Sequence, residues 1–184
     1  DWTPPQPIEE APLLDNGLLC VLTRWLTQGQ AEKTLRSLRN AYEDWNELRV
    51  SQVQEYQSLI ATKSADVSYK TARGIKEYLQ EVFQKRHGFD LEALRGDLPE
   101  AAKFLLQLDY LGGGAAHWLV WVAMGGELPT SIQTIRVLDR MGLMKRTSSP
   151  RKAQEALESL VPAKLRAEFG AKIGGIGHDH CDSK

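Results

Sequence analysis

Apolar residues recur at helical spacing along most of this chain, and candidate caps divide the pattern into short segments. The first segment is DNGLLCVLTRWL, where Asp15 or Asn16 would cap the helix, and QAEKTLRSLRNAYEDW continues the same spacing. Ser51 and Gln54 have the spacing of a capping box. We therefore predict a helix in each of these segments.

The same pattern continues through the second half of the chain. Ser64 precedes the amphipathic segment VSYKTARGIKEYLQEVFQKRHG, whose helix should end at Gly88, and LPEAAKFLLQL has Pro99 in its first turn. The segments LPTSIQTIRVLDRMG, SSPRKAQEALESL and VPAKLRAEFG each begin at proline or serine and end at glycine or before a new proline. No segment alternates apolar and polar residues for long enough to form a sheet. The prediction is an all-α fold of about nine or ten short helices.

The composition is that of a globular protein. The chain has 184 residues, of which 42% are hydrophobic and 26% are charged, enough for one domain or two small lobes. No apolar run approaches the ~20 residues of a membrane span, and the N-terminal DWTPPQPIEEAP lacks the regions of a signal peptide. We therefore expect a cytoplasmic protein that does not bind membranes. The two cysteines, Cys20 in the apolar run LLCVL and Cys181 near the end, exclude a disulfide framework, and Cys20 should be a buried thiol.

The charges are distributed unevenly. The net charge is −1, but residues 133–172 contain nine lysines and arginines against four acids, a local charge of +5, and residues 1–16 contain four acids and no base. A basic segment of this kind fits a surface that faces a polyanion, although a solvated helical surface would have the same composition.

Residues 98–126, LPEAAKFLLQLDYLGGGAAHWLVWVAMGG, contain two apolar helical segments separated by a turn with three consecutive glycines. Amides at the start of a helix lack acceptors within it, and glycine lets a phosphate oxygen approach without a Cβ in the way. The turn is therefore a candidate anion site. The alternative is a plain connection between helices with a glycine cap.

This segment resembles the helix-hairpin-helix of the endonuclease III-like DNA glycosylases, whose pattern is approximately (V/L)-P-x-x-x-x-x-L-x-x-L-P-G-V-G-x-K-T-A. In this register Leu98-Pro99 begins the first helix, Leu105 and Leu108 are the apolar positions, and Tyr110-Leu111-Gly112 stands at Gly-Val-Gly. A second register places Gly112-Gly113-Gly114 there instead.

The resemblance extends in order over nearly the whole chain. Upstream, LTRWLTQGQAEKT is similar to the family segment L-S-Q-x-T-x-D, where a helix end projects a polar residue into the DNA stack; Gln28 and Gln30 are the candidates for that residue. Downstream, LPTSIQTIRVLDRMGL is similar to x-P-V-D-T-H-V-x-R-V-x-x-R-L-G, with Arg136-Val137 and Arg140-Met141-Gly142 in register.

The resemblance implies a two-lobed, all-α DNA glycosylase fold, with a helical domain over residues 10–126 that ends in the hairpin and a second lobe from residues 1–9 and 127–184. It implies duplex DNA as the partner, either intact or damaged or distorted, bound by a monomer that would be nucleoid-associated in a bacterium. The implied DNA contacts come from the hairpin, the base-stack candidates and the basic segment: Tyr110, Leu111, Gly112, Gly113, Gly114, Ala115, Gln28, Gln30, Arg136, Arg140, Lys145 and Arg146.

The two family catalytic positions are substituted. A lysine after the hairpin attacks the sugar in many relatives and forms a Schiff base, and here its position is Gly114, or Ala116 in the second register. The family aspartate that stabilises charge on the sugar stands at Ser131. The sequence therefore predicts a DNA-binding protein of the base excision repair glycosylase type without the standard glycosylase or lyase chemistry.

Three nearby groups are weaker catalytic candidates, and each has a structural interpretation. Asp109 would be a turn residue, His117 a packed residue in the first turn of a helix, and Asp139 a surface acid among arginines. An active glycosylase with relocated catalytic groups and a helical protein-interaction module are the two alternative functions.

The C-terminal segment bears on a cofactor. Many relatives end in four cysteines that hold an iron-sulfur cluster, and Cys181 stands where the first of them falls. One cysteine cannot hold a cluster, so no cofactor is expected in this chain. A 4Fe-4S cluster is expected only if the natural chain continues past Lys184. His178, His180 and Cys181 could bind zinc, although a flexible tail is the simpler interpretation.

Overall fold

The computed structural model describes residues 4–8, 10–125, 132–145, 147, 150–166, 168–170, 172, 173 and 176. These residues confirm the predicted all-α class. The helices are α1 (Leu13–Leu22), α2 (Gln28–Ala41), α3 (Trp45–Val50), α4 (Val53–Tyr56), α5 (Ala65–Arg86), α6 (Leu98–Leu105), α7 (Gly112–Ala123), α8 (Ile132–Arg140) and α9 (Pro150–Leu160). Short 3-10 turns cover Gln57–Leu59, Glu92–Leu94 and Ala163–Leu165. Among the described helices, none combines the length and the hydropathy that a bilayer span requires.

The chain divides into two compact units, Asp1–Glu92 and Ala93–Lys184. The first contains α1 to α5, and the second contains α6 to α9. This division differs from the predicted one, which joined α6 and α7 to the N-terminal helices in a domain over residues 10–126. The physical reason is packing within the second unit, where α7 contacts α6 and its Trp121 lies against the apolar cluster of α8 and α9.

Helix α1 is the centre of the first unit. All ten of its residues are buried, and it packs against α2 and α5. The long helix α5 also contacts α3 and α4. Ser64 caps α5 as predicted, because its hydroxyl oxygen accepts a hydrogen bond from the Val67 amide at 3.3 Å.

The predicted cap of α1 is wrong. The helix begins at Leu13, directly after Pro12, so Asp15 and Asn16 lie inside its first turn. Proline fixes a backbone angle that suits the start of a helix, and the pair Leu13-Leu14 extends the buried face one turn earlier than the cap residues indicated. Asn16 instead ties the N-terminal segment to α1: its Oδ1 accepts from the Ile8 amide at 3.0 Å, and its Nδ2 donates to the Ile8 carbonyl at 3.4 Å.

Asp15 is a buried carboxylate with a complete set of partners. Arg39 of α2 donates to it from both Nε, at 3.0 Å, and Nη2, and Trp45 of α3 donates from its indole nitrogen at 3.1 Å. The Arg39 guanidinium also lies 4.4 Å from the centre of the Trp45 ring. A buried charge is tolerated only when it is paired, so this contact fixes three helices against one another.

Two further boundaries differ from prediction. The capping box is at Gln52, whose amide donates to Glu55 Oε1 at 2.9 Å, whereas the Ser51 hydroxyl donates to the Glu47 carbonyl and ends α3. Helix α5 ends at Arg86, and His87 rather than Gly88 takes the left-handed conformation, with φ of 57°. Histidine is one of the residues that tolerate this conformation, so a following glycine is not required.

In the second unit, Asp97 caps α6 by accepting from the Glu100 amide at 3.1 Å, and Pro99 lies in its first turn as predicted. The Gly96 amide donates to the Ala123 carbonyl at 3.1 Å, which joins the segment before α6 to the end of α7. The apolar cluster of α8, α9 and the residues after them comprises Val137, Leu138, Leu157, Val161 and Ile173, with Trp121, Met144 and Phe169 packed against it.

Cys20 is a buried free thiol, as predicted. Burial raises the pKa of this thiol well above its ordinary value, and the charge of Arg24 opposes that shift only in part. The thiolate is the reactive form of cysteine, so Cys20 is a packing residue of α1 rather than a nucleophile.

The Asp15 contact predicts a large stability effect. Replacing Asp15 by alanine leaves Arg39 and the Trp45 indole N–H without their acceptor, so we expect the free energy of unfolding to fall by about 2–4 kcal/mol. The control is Glu77→Ala, which removes an exposed ion pair with Arg73 and should change stability by less than about 0.5 kcal/mol. Chemical denaturation followed by circular dichroism measures both values, and equal losses in the two variants would contradict the assigned role of Asp15.

Candidate nucleic-acid interface

The turn between α6 and α7 is held by its apolar residues. Leu105, Leu108 and Leu111 are buried. Leu105 and Leu108 are the two apolar positions of the predicted motif. Two tight hydrogen bonds close the turn: the Leu111 amide donates to the Leu108 carbonyl at 3.1 Å, and the Gly112 amide donates to the Asp109 carbonyl at 3.1 Å. The turn is therefore ordered by the core below it and by its own backbone.

Gly112 is required for its backbone conformation. Its φ is +69°, in the left-handed region, and a Cβ added at this position would meet no atom within 4 Å. Space is therefore available for a side chain, but an L-residue with a Cβ is strained at this φ.

The start of α7 contains the candidate backbone donors of this turn. Helix α7 begins at Gly112, and the first amides of an α-helix have no acceptor within the helix itself. The Gly112 amide is already used by Asp109. Among the predicted donors, residues 110–115, Gly113 and Gly114 lie in the first turn of α7, at the positive end of the helix dipole, and their contact with an anion stays a prediction.

Helix α7 is buried on nearly every face. Residues 115–120 are all buried, and Val122 and Ala123 continue the buried surface. His117 lies within this stretch, so its imidazole is packed inside the second unit rather than placed on the surface of the turn. Gly114, at the family lysine position, is half-buried, and Ala116, its alternative in the second register, is buried.

The two acidic candidates are both exposed. Asp109 lies in the turn itself, and Asp139 lies on α8. Asp109 is the acidic residue nearest to the α7 amides in sequence, and a negative charge close to these amides would oppose the approach of an anion. Ser131, the family aspartate position, lies outside the described residues.

The basic residues of α8 and the turn after it are on the solvent side. Arg136 is half-buried, and Arg140 and Lys145 are exposed, whereas Val137 and Leu138 of the same helix belong to the apolar cluster. Arg146 lies outside the described residues. Arg140 and Lys145 of the predicted basic segment therefore lie where a polyanion could reach them.

The two glutamines proposed for the base stack, Gln28 and Gln30, lie in the first unit and have structural partners. Gln30 forms a capping box with Thr27: its Oε1 accepts from the Thr27 amide at 3.0 Å. Gln28 binds the Gln6 backbone, accepting from its amide at 2.9 Å and donating to its carbonyl at 3.2 Å. Neither arrangement was predicted. The spacing of Thr27 and Gln30 is that of a capping box and could have indicated the first one. The exposed aromatic residue of this connection is Trp25.

The C-terminal cofactor candidates, His178, His180 and Cys181, lie outside the described residues. Within the described ranges, no group of three or more histidine, cysteine, aspartate or glutamate side chains could hold a metal ion.

Comparison with known proteins gives a match at the level of structure. No protein-family model matches the sequence, and no curated protein does. The solved structures that are similar in fold include the following three. A non-covalent endonuclease III–DNA complex has a TM-score of 0.51 at 19% identity, covering 95% of this chain and 78% of that one. A trapped endonuclease III–DNA covalent intermediate with an estranged adenine has a TM-score of 0.52 at 19% identity, covering 98% and 81%. A thermostable thymine-DNA glycosylase has a TM-score of 0.53 at 18% identity, covering 96% and 78%.

The chain therefore has an endonuclease III-like, all-helical glycosylase fold. The similarity extends over nearly the whole chain, as the sequence motifs indicated. At this identity the similarity concerns the fold, and function depends on the particular residues of the site.

The conformation of Gly112 predicts the outcome of a matched pair of substitutions. Gly112→Ala should destabilise the protein by about 1–2 kcal/mol, because alanine is strained at positive φ. Gly29→Ala, at an exposed helical glycine that also has no atom within 4 Å of a Cβ, should stabilise it by up to about 1 kcal/mol. Since neither change creates a clash, the difference in thermal stability isolates the backbone term. An unchanged Gly112→Ala variant would show that the turn does not need a left-handed residue.

Proposed function

We propose that this protein binds duplex DNA through the α6–α7 turn and the basic surface of α8, and that it lacks the standard glycosylase and lyase chemistry. One observation carries the proposal: a left-handed Gly112 begins a buried helix, and the first amides of an α-helix, which here include those of Gly113 and Gly114, have no acceptor within the helix. The fold is shared with two endonuclease III structures solved with DNA, which supports DNA as the anion that these amides bind.

The turn and the basic surface would act on the same part of the ligand. Backbone amides at a helix N-terminus bind phosphate oxygens, and Arg136, Arg140 and Lys145, which belong to the same unit, would add positive charge. Such contacts position a protein on DNA without reading its sequence. Selectivity would then come from the deformability of the duplex, which is highest at a mismatched, damaged or abasic site.

The residues at the two family catalytic positions lack the groups that the standard chemistry requires. Gly114 and Ala116 have no amine to attack a sugar carbon, and serine at position 131 has no carboxylate to stabilise positive charge. His117 is packed within the second unit, which removes one of the three replacement candidates from the surface.

Binding should depend strongly on salt. We expect micromolar affinity for a duplex at low salt, tighter when the duplex contains a mismatch or an abasic site. The three described cations on and after α8 give a slope of about −2.7 in log K against log salt, which is a loss of about 40-fold between ~50 and ~200 mM salt. Fluorescence anisotropy with a labelled duplex measures this slope, and a slope near zero would contradict the proposal.

The acid in the turn supplies a sharper test of where DNA binds. Asp109→Asn removes the negative charge beside the α7 amides, so affinity at low salt should rise by about two- to fivefold. Glu77→Gln is the control, because it removes an equal charge from the exposed side of α5. Equal effects of the two variants would show that only net charge changed and that the α6–α7 turn does not face the DNA.

The proposed loss of chemistry predicts that no covalent intermediate forms at the family position. A lysine that attacks an abasic sugar gives an imine that borohydride reduces to a stable crosslink. We expect neither a trapped complex with abasic DNA nor strand cleavage above background, measured on denaturing gels. A trapped species from the wild-type protein, mapped to another amine, would support an active enzyme with relocated groups instead.

The reverse substitution is the matched control for that experiment. Gly114→Lys combined with Ser131→Asp restores both family groups and should give at least weak trapping if the sugar reaches the α6–α7 turn. Binding without trapping in this double variant would contradict the register that assigns these two positions.

A further inference from the structure

The turn after α8 is rigid and left-handed. The Leu143 amide donates to the Leu138 carbonyl at 2.9 Å, and the Gly142 amide donates to the Asp139 carbonyl at 3.0 Å. Gly142 has φ of +69°, which completes a Schellman motif at the end of the helix. The residues on either side of Gly142 are therefore held in fixed directions.

Those two residues are large, apolar and exposed. Met141 is 54% exposed and Leu143 is 47% exposed, whereas the next residue, Met144, packs against the apolar cluster. In a Schellman motif the residue after the glycine commonly contacts the helix, which accounts for the buried half of Leu143 but not for Met141. The fold itself thus leaves this apolar pair in solvent.

Cations flank the pair. Arg140 precedes Met141 and Lys145 follows Met144, and both are exposed. With Arg136 and Asp139 included, the described residues from 135 to 145 have three positive charges and one negative. The chemistry is that of an apolar tip between cations, which complements a ligand with an apolar interior and an anionic edge.

We infer that Met141 and Leu143 form a wedge that enters the base stack of duplex DNA, while Arg140 and Lys145 neutralise the phosphates beside it. The inference rests on the proposed DNA binding and adds to it the residues that distort the duplex. Met and Leu are among the side chains that proteins insert between base steps from the minor groove, and the unstacking costs least at a mismatched or damaged site. The wedge would therefore supply the preference for distorted DNA that phosphate contacts alone cannot give.

An anionic membrane is the other ligand with an apolar interior and charged edge. Stable attachment to a bilayer requires a large apolar face or an anchoring chain in addition to cations. Two side chains in one turn are a small apolar surface for that purpose, whereas one or two side chains suffice to open a base step. The geometry therefore favours DNA.

The test compares two double variants of the full chain on duplexes that contain 2-aminopurine, whose fluorescence rises when it leaves the stack. Met141→Ser with Leu143→Ser removes the wedge. Leu160→Ser with Leu165→Ser is the control, since these residues are 55% and 45% exposed in the same unit and lie outside the turn. Met141→Ser alone is a third variant that keeps the Leu143 contact with the helix end. Circular dichroism establishes that each variant is folded.

At saturating protein, the wild type and the control should raise the 2-aminopurine fluorescence equally. The rise with the wedge variant should be at least fivefold smaller. Its affinity for an intact duplex should stay within about twofold, since its phosphate contacts remain. Its preference for a mismatched duplex should disappear. Met141→Ser should show the same losses in weaker form.

Three outcomes would overturn the inference. Equal fluorescence rises in the wild type and the wedge variants, with the base analogue placed at each step of the bound site, would remove the wedge and leave DNA binding intact. No binding of the wild type to any duplex would remove the proposed function together with the wedge. Binding to phosphatidylserine vesicles that the wedge variants lose, with no change in the DNA signal, would assign the turn to a membrane surface.

Discussion

The burial of α7 on nearly every face is the constraint on which the candidate interface depends. A helix that is apolar all round has one stable place, inside its unit, and burying Trp118 and Leu119 stabilises that place by about 1.5–3 kcal/mol for each side chain. The helix cannot slide or rotate without exposing them. Its first residue, Gly112, is thereby fixed in position, and the buried Leu108 and Leu111 hold the preceding turn from below. The α6–α7 turn is therefore held in one conformation by the buried residues on both sides of it.

In the first unit, buried and partly buried polar side chains, rather than apolar packing alone, join the elements. Asp15 lies within the buried helix α1 and is satisfied by Arg39 and Trp45, and Gln28 holds the backbone of Gln6. These polar side chains join elements that are distant in the chain. Because such contacts serve the fold, a polar residue at a helix end is not by itself a ligand-binding residue. The same caution applies to Gln30, whose side chain completes the cap of its own helix.

The sequence was sufficient for features that depend on local periodicity. Helical spacing predicted the all-α class, Ser64 marked the start of α5, and the resemblance to the family pattern identified Leu105 and Leu108 as apolar positions, both of which are buried. The sequence was insufficient where the role of a residue depends on a partner that is distant in the chain. Nothing near Asp15 shows that its oxygens bind residues 24 and 30 positions later, so its cap assignment was wrong. The unit boundary likewise depends on Trp121 packing against α8 and α9, which no local pattern encodes.

The turn between α6 and α7 and the surface of α8 differ in how they would hold a polyanion, and this difference is set by their chemistry. Neutral amides at a helix start bind an oxygen by direction and dipole and carry no net charge of their own. Exposed side chains such as Arg140 and Lys145 act by releasing counterions, and their contribution falls steeply with salt. The turn has a geometry fixed by the burial of α7, whereas the cations are the end groups of long side chains. Under the proposed function, Gly113 and Gly114 would therefore orient a bound DNA backbone, and the cations of α8 would attract it from a distance.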